Sequence, residues 1–176
     1  MAKVELLAPI LFQWEGGYQC DPDDKGNYNS KGELVGTKYG VSANAYEAHY
    51  DIVPEKEIME NLTPEQASFV LLSYWNNCKA DDINSQSIAN LFVDWYYMSG
   101  PAGIKSAQRV LNLVADSIVG HNTLATINAG DQSEVFSKLW LARMQFFLDI
   151  CKNNPSQNKF LKGWLNRLNS YKFQTT

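Results

Sequence analysis

The chain has 176 residues, of which 45% are hydrophobic and 12% aromatic, and its net charge is −4. This composition excludes a disordered chain and is sufficient for a sizeable hydrophobic core. No apolar stretch reaches the length of a transmembrane helix, and the N-terminus lacks the basic and apolar regions of a secretory signal. We therefore expect a protein that is synthesised in a cytoplasm without a signal peptide.

The cysteines and histidines predict neither a disulfide framework nor a metal site. The cysteines are odd in number and far apart, at Cys20, Cys78 and Cys151, so we expect three free thiols. His49 and His121 lack the spacing of metal ligands. Because phosphate-binding loops and dinucleotide fingerprints are also missing from the sequence, we expect no metal and no cofactor.

The first predicted helix ends close to a glutamate. Apolar side chains recur at three- and four-residue steps from Val4 to Trp14, and Glu15 lies at the edge of this stripe. Gly16 and Gly17 can then end the helix in a left-handed turn. Partial burial and the negative end of the helix dipole both favour a protonated carboxyl, which a general acid requires. An ordinary glutamate at a helix end would show the same spacing.

Three aspartates and a glycine-rich segment follow the glutamate. Asp21, Asp23 and Asp24 form an acidic cluster, and in residues 26–41 glycines alternate with polar and β-forming residues. Such a segment predicts a small β-hairpin or flap. Hydrolysis of a glycosidic bond uses one carboxyl group as general acid and a second carboxylate nearby. Glu15 is therefore the candidate acid, and one of the three aspartates is the candidate second carboxylate.

The rest of the chain predicts further helices. Thr63 begins a capping box with proline at the first helical position, and Asp131 is a typical N-cap. Helices are predicted at residues 63–75, 87–98, 103–113 and 131–151 and after Pro155. We therefore predict an all-α fold, mainly helical with a small β-hairpin or flap.

The net charge is unevenly distributed along the chain. Residues 136–176 contain seven lysines and arginines and one aspartate, which gives +6 in this segment and −10 in the rest. This asymmetry predicts a weak contact of the basic C-terminal helices with an anionic wall or membrane surface. Solvated helix faces explain it equally well. Nucleic-acid binding is not expected, because the N-terminal part has no basic face.

Motifs in both halves of the chain match one family. The N-terminal motifs are Glu15-Gly16-Gly17-Tyr18, Asp21-Pro22-x-Asp24 and Thr37-x-Tyr39-Gly40-Val41-Ser42. The C-terminal ones are Asp94, Gly100, Gln108-Arg109-Val110-Leu111-Asn112, Asp116-Ser117-Ile118-Val119-Gly120 with Thr123-Leu124, Arg143, and Gly163-Trp164-x-x-Arg167. In this order they resemble the glycoside hydrolase family 108 N-acetylmuramidases, phage and prophage lysozymes of the lysozyme-like superfamily, together with the predicted peptidoglycan domain that accompanies them.

The resemblance implies a two-lobed, lysozyme-like protein. Residues 1–86 would form the catalytic lobe with Glu15 and the flap, and residues 87–176 a helical lobe similar to the predicted peptidoglycan domain. The implied activity is hydrolysis of the β-1,4 bond between N-acetylmuramic acid and N-acetylglucosamine by an endolysin or prophage-derived lysozyme. Such a protein would bind peptidoglycan glycan strands as a monomer. It would act at the cell wall or in the periplasm after holin-like or other release.

The resemblance also implies roles for single residues. Glu15 matches the catalytic glutamate, Asp24 the aspartate that follows it, and Thr37 the threonine that positions water. The predicted substrate-binding residues are Tyr18, Asp21, Tyr39 and Asp94. Twelve residues separate Asp24 from Thr37, more than in the phage-type pattern, so Asp21 and Asp23 stay rivals for the second carboxylate.

Two other functions are compatible with the same motifs. A lytic transglycosylase needs the same acid but no partner that directs water. A non-catalytic peptidoglycan-binding or secretion-accessory protein would keep the fold and the aromatic groove without turnover. Anhydro-muramyl products would identify the first, and wall binding without release of reducing ends would identify the second.

Overall fold

The structure, a computed structural model, describes residues 1–175. It confirms the predicted all-α class, since most of the chain is helical and no continuous sheet forms in these residues. The α-helices are α1 Val4–Phe12, α2 Ala43–Tyr50, α3 Lys56–Glu60, α4 Pro64–Ala67, α5 Leu72–Asn77, α6 Gln86–Ser99, α7 Pro101–Val110, α8 His121–Asn128, α9 Gln132–Asn153 and α10 Asn158–Ser170. Short 3₁₀ turns lie at Lys25–Asn27, Ser68–Leu71, Ala80–Asp82 and Pro155–Gln157.

Most of the predicted helices are confirmed, with shifts at their ends. The capping box at Thr63 is present, and Asp131 caps α9 by accepting the N–H groups of Ser133 and Glu134. The prediction of a single helix over residues 63–75 is wrong, because α4, a 3₁₀ turn and α5 divide this segment. The short helices α2, α3 and α8 escape prediction, because apolar periodicity needs several turns to become visible.

The first helix is shorter than predicted. α1 ends at Phe12, so the prediction that the helix reaches Glu15 is wrong. Beyond α1 the backbone tightens, and the N–H of Glu15 donates to the carbonyl of Phe12 over 3.2 Å, three residues back instead of four. Gly16 and Gly17 do not adopt a positive φ. The predicted left-handed stop at these glycines is therefore also wrong.

The chain forms two compact units. Glu5–Leu72 make up the N-terminal unit, and Met1–Val4 with the chain from Ser73 onward make up the C-terminal unit. The N-terminal compact unit ends at Leu72. The division into functional lobes at residues 1–86 and 87–176 is a separate question and stays a prediction.

The flap, residues 26–41, belongs to the N-terminal unit. Isolated antiparallel bridges join Tyr28 with Leu34 and Lys38 with Val41. Positive φ angles at Gly32, Gly36 and Gly40 interrupt the extended backbone between these bridges. The predicted small hairpin is thus present as single bridges rather than as continuous strands.

Helix α6 forms the centre of the C-terminal unit. Nine of its 14 residues are buried, and it packs against α7 and α9, while α9 packs against α10. Gly103 of α7 lies so close to α6 that a Cβ there would be 2.8 Å from the carbonyl oxygen of Trp95. Glycine at this position therefore permits the close packing of α7 on α6.

A buried group of three charges joins α6, α9 and α10. Asp94 of α6 is 0% exposed and pairs with Arg143 of α9 over 2.6 Å and with Arg167 of α10 over 2.7 Å. Burial alone would raise the pKa of Asp94, but the two guanidinium charges outweigh it and hold this pKa below its ordinary value. The ionised carboxylate therefore connects three helices in the core.

This triad changes the charge distribution inferred from the sequence. Arg143 and Arg167 are counted in the +6 of residues 136–176, yet both are buried against Asp94. The exposed basic residues of the segment are Lys138, Lys152, Lys159, Lys162 and Lys172. The exposed positive charge of residues 136–176 is therefore smaller than the +6 counted from the sequence. The weak contact of this segment with an anionic surface stays a prediction.

Two further observations concern membranes and thiols. Within residues 1–175, none of the helices combines the length and apolar character that a membrane crossing requires. Cys20, Cys78 and Cys151 are free in the structure, and burial raises the pKa of the Cys78 thiol to about 12.

Candidate active site

Glu15 follows the rigid end of α1. Leu11 and Phe12 are 0% and 1% exposed, so the last turn of α1 is fixed in the core of the N-terminal unit. The tight turn after Phe12 then places Glu15 at the surface, where its side chain is half-buried. A carboxyl group in this position is held by a rigid element and can still be reached from solvent.

The two glycines after Glu15 leave open space. A Cβ atom built on Gly16 or Gly17 would meet no other atom within 4 Å. Neither residue has a positive φ, so neither the backbone conformation nor the packing of the chain requires glycine here. A substrate can approach the backbone closely beside Glu15.

Gln19 connects this segment with the far side of the flap. The N–H of Gln19 donates to the carbonyl of Thr37 over 2.9 Å, and the N–H of Thr37 donates back to the carbonyl of Gln19 over 2.8 Å. The hydroxyl of Thr37 donates to the carbonyl of Gly26 over 3.4 Å. Two residues of the predicted site, Glu15 and Thr37, are thereby attached to the same short stretch of backbone.

The side chain of Gln19 also holds the acidic cluster. Its amide nitrogen donates to Oδ2 of Asp24 and to Oδ1 of Asn27, both over 3.0 Å. Its amide oxygen accepts the N–H of Asp21 over 3.1 Å and the side-chain amide of Asn27 over 2.8 Å. One glutamine therefore fixes Asp24 and Thr37 relative to each other.

The three aspartates differ in their partners. Oδ1 of Asp24 accepts the N–H of Gly26 over 2.9 Å, in addition to the bond from Gln19. Oδ1 of Asp21 accepts the N–H of Asp23 over 2.9 Å in a local turn. All three carboxylates are exposed, but within residues 1–175 only that of Asp24 accepts a hydrogen bond from the Gln19 side chain.

Asn27 was not expected from the sequence as a residue of this site. It is 0% exposed, and its side chain also donates to the carbonyl of Asp21 over 2.9 Å. The backbone carbonyl of Asn27 accepts the N–H groups of Val35 and Gly36. Neither Gln19 nor Asn27 lies in a periodic pattern, so the sequence gives no signal for the network that they form.

Tyr18, a predicted substrate-binding residue, has a structural role in the flap. Its hydroxyl donates to the carbonyl of Val35 over 3.0 Å, and its ring covers Gly36. Burial is the main cause that raises the pKa of this hydroxyl above its ordinary value. Contact of the remaining ring edge with substrate stays a prediction.

Substitution of Gly36 tests the contact with Tyr18. Gly36 has φ +88°, and an added Cβ would lie 2.4 Å from the Tyr18 ring, whereas Gly32 has φ +78° and open space around it. Gly32→Ala should lower the free energy of unfolding by about 1–2 kcal/mol through its φ angle alone. Gly36→Ala should lower the free energy of unfolding by about a further 1–3 kcal/mol, because the Tyr18 ring must move. Urea unfolding measures both, and equal losses would contradict the importance of the ring contact.

Tyr39 lies at the end of α1. Its ring stacks on Phe12 at a centroid distance of 5.1 Å, and the Lys38 ammonium lies 5.2 Å from the Tyr39 ring centre. Tyr39 has φ +54°, which is uncommon for a residue with a side chain. Its backbone is therefore held in a strained conformation beside the helix end, and its contact with substrate stays a prediction.

Asp94 is not available to a sugar. It is 0% exposed, and both of its oxygens are occupied by arginines of the C-terminal unit. The prediction that Asp94 binds substrate is corrected by this arrangement. Its aromatic setting on α6, with Trp95 0% exposed, is core packing.

The N-terminal unit thus contains the groups that glycosidic hydrolysis needs. Glu15 is a half-buried carboxyl on a rigid support. Asp24 is an exposed carboxylate in a hydrogen-bonded loop, and Thr37 has a hydroxyl on the same network. These are the residue types that the roles of general acid, second carboxylate and water-orienting group require, and the roles themselves stay a prediction.

The chain matches two family models and a solved structure. Residues 8–100 match the family model described as Glycosyl hydrolase 108, and residues 102–169 match the one described as Predicted Peptidoglycan domain. Among solved structures, the chain is similar to "Structure of Brucella abortus SagA", with 26% identity, a TM-score of 0.60, and coverage of 94% of this chain and 89% of that chain. No curated protein matches the chain at a significant level.

Proposed function

Because the chain belongs to the glycosyl hydrolase 108 family, we propose that it is an N-acetylmuramidase. The two family matches identify a glycoside hydrolase that acts on peptidoglycan. The finer proposal is cleavage of the β-1,4 bond between N-acetylmuramic acid and N-acetylglucosamine. The resemblance to phage and prophage lysozymes further supports an endolysin that reaches the wall after holin-like or other release.

The network around Gln19 is the observation that supports this proposal best. It places Asp24 and Thr37 on one hydrogen-bonded residue, four positions after Glu15. A hydrolase and a transglycosylase both need an acid and both pass through an oxocarbenium-like transition state, but only the hydrolase needs a group that directs water. The presence of all three groups favours hydrolysis.

The proposed reaction proceeds in three parts. Glu15 donates its proton to the glycosidic oxygen as the bond to the leaving sugar breaks. The Asp24 carboxylate stabilises the positive charge that develops on the sugar ring. A water held by the Thr37 hydroxyl attacks the anomeric carbon, and its proton leaves to a carboxylate of the site.

Product analysis of digested sacculi tests the activity. Purified sacculi are incubated with the protein, and the new ends are identified by mass spectrometry after borohydride reduction. Reduced muramic acid ends are expected. Reduced glucosamine ends would show a different bond, 1,6-anhydro ends a transglycosylase, and binding without new ends a non-catalytic protein.

Asp24 is expected to be the second carboxylate. Asp24→Asn keeps the shape of the side chain but removes its charge, so turnover on sacculi should fall by about 10²-fold. Asp23→Asn is the matched control, since Asp23 is an exposed aspartate of the same cluster, and it should change turnover less than about twofold. A larger loss of turnover in Asp21→Asn or Asp23→Asn than in Asp24→Asn would show that the substituted residue, and not Asp24, is the second carboxylate.

The hydroxyl of Thr37 is expected to position water. Thr37→Val is nearly isosteric but cannot form hydrogen bonds, so kcat should fall by about tenfold while KM changes little. Thr37→Ser retains the hydroxyl and should restore most of the rate. Equal activity of Thr37→Val and the parent protein on a soluble oligosaccharide would exclude this role.

A further inference from the structure

The C-terminal unit contains a cavity with a polar floor and an apolar rim. Its volume is about 370 Å³, and it lies between the end of α7 and the start of α8. Gln108 and Thr123, which are 1% and 4% exposed, belong to the floor. Val114 and Ile118, which are 81% and 67% exposed, belong to the rim.

The loop that forms the cavity is fixed from within by Gln108. The amide nitrogen of Gln108 donates to Oδ1 of Asp116 over 2.9 Å and to the carbonyl of Ile118 over 3.1 Å. Its amide oxygen accepts the N–H of Ser117 over 2.9 Å. Because the loop is already ordered, a ligand would lose little affinity to the ordering of the protein.

Packing within the folded chain does not account for the position of the two apolar rim residues, Val114 and Ile118, because both side chains are exposed. Isolated apolar side chains on a surface are ordinary, but here two large ones border one cavity. A cavity that combines apolar walls with a few convergent polar groups is typical of a small-molecule site.

The polar groups of the cavity include both an acceptor and donors. Oδ1 of Asp116 accepts the N–H of Ile118 over 2.8 Å, and this bond is the main cause that lowers the pKa of Asp116. The carboxylate is therefore ionised at neutral pH and can accept further hydrogen bonds. α8 begins after Gly120 without a side-chain cap, so N–H groups of its first turn are available at the cavity.

An N-acetylated sugar has the complementary groups. Its acetamido group carries a carbonyl that accepts hydrogen bonds, an N–H that donates one, and a methyl group that needs an apolar contact. The first turn of α8, the Asp116 carboxylate and the rim residues supply these three partners. The negative charge of Asp116 disfavours the carboxylates of a peptidoglycan stem peptide.

We propose that this cavity binds an N-acetylated sugar of the peptidoglycan glycan strand. The proposal rests on the proposed function, because the glycan strand is the substrate in that proposal. The cavity would be a second, non-catalytic sugar site that retains the enzyme on the wall between cleavage events. Such tethering raises the effective concentration of substrate at the catalytic unit.

Site-resolved binding tests the proposal. The full chain with Glu15→Gln is titrated with the tetramer of β-1,4-linked N-acetylglucosamine, and amide resonances are followed by NMR. We expect shifts at residues 112–123, and about a tenfold loss of affinity at this site in the double variant Val114→Ser/Ile118→Ser, which corresponds to about 1.4 kcal/mol. Sugar-free stem peptide should leave these resonances unchanged.

A matched control separates the cavity from general surface effects. Leu141 and Leu148 of α9 are 54% and 38% exposed and do not line this cavity. Leu141→Ser/Leu148→Ser should bind the tetramer at residues 112–123 as the parent does. Shifts caused by stem peptide instead of sugar, or an unchanged affinity of Val114→Ser/Ile118→Ser, would overturn the proposal.

A different measurement tests the proposed catalytic function. In the active chain, Val114→Ser/Ile118→Ser should release reducing ends from sacculi more slowly than the parent, whereas Leu141→Ser/Leu148→Ser should release them at the parent rate. If the parent protein releases no reducing ends from sacculi, the proposed function is wrong. Sugar binding at the cavity is judged by the NMR shifts alone, and so does not depend on that result.

Discussion

Replacement of Glu15 by glutamine is expected to lower the rate of wall lysis by about 10²–10⁴-fold without unfolding the protein. Glutamine has nearly the same shape as glutamic acid but cannot donate a proton to the glycosidic oxygen. Glu15 lies beyond the end of α1, next to open space at Gly16 and Gly17, so the substitution leaves the core of the N-terminal unit unchanged. The measurement is clearing of purified sacculi together with thermal unfolding.

Glu5→Gln is the control for this substitution. Glu5 is an exposed glutamate in the first turn of α1, so the same chemical change occurs on the helix that precedes Glu15, away from the candidate site. We expect its lytic rate to stay within about twofold of the parent. A folded Glu15→Gln protein that clears sacculi at the parent rate would refute the assignment of Glu15 as general acid.

The position of Glu15 illustrates what the sequence predicts well. The apolar stripe of α1 predicts a helix that ends near the glutamate, and the glycine pattern predicts the flap of residues 26–41. Both are present, because they depend on local backbone preferences and on a period that is visible in the residues. The two residues before Glu15, Gln13 and Trp14, are the exception, because tight turns with bonds to the third residue back have nearly the same apolar spacing as an α-helical turn.

The hydrogen-bond network of the site could not be predicted in the same way. Gln19 and Asn27 are ordinary polar residues in the sequence, and their importance follows from where the flap returns toward residue 19. Nonlocal pairing of this kind depends on the register of the bridges. A glutamine between two recognisable motifs carries no periodicity that would reveal it.

The charge count failed for a related reason. In the sequence, Arg143 and Arg167 add to a cluster of basic residues that is typical of a basic surface. Only the packing of α9 and α10 against α6 shows that both are buried with Asp94. The same residue, Asp94, resembled a substrate ligand because it lies among aromatic residues of a family motif. In both cases the sequence predicts an exposed charged residue, because most charged residues are exposed, and the structure buries it instead.

Asp94→Asn is expected to destabilise the C-terminal unit by about 3–5 kcal/mol. The substitution leaves the guanidinium groups of Arg143 and Arg167 buried without the charge that compensates them, and the amide can satisfy only part of their hydrogen bonds. Asp149→Asn is the control, because Asp149 lies exposed on α9 and should change stability by less than about 0.5 kcal/mol. Urea unfolding at neutral pH measures the difference.

The pH dependence distinguishes a lost charge from a lost shape. The pKa of Asp94 is lower in the folded than in the unfolded chain, so its contribution to stability is complete above the unfolded value of about 3.9 and is lost as the pH falls through the folded value. The difference between parent and Asp94→Asn should therefore be constant above about pH 5 and shrink in acid. A difference that persists unchanged at low pH would show that packing, not charge, is the cause.

A triple variant tests the same triad if Asp94→Asn does not fold. Asp94→Leu/Arg143→Met/Arg167→Met removes all three buried charges and replaces them with apolar side chains of similar length. Since no charge is left unpaired, and since Arg143 and Arg167 already lie near aromatic rings, this variant should be more stable than Asp94→Asn. A triple variant that is less stable than the single one would mean that the three charges together contribute net stability rather than specificity of packing.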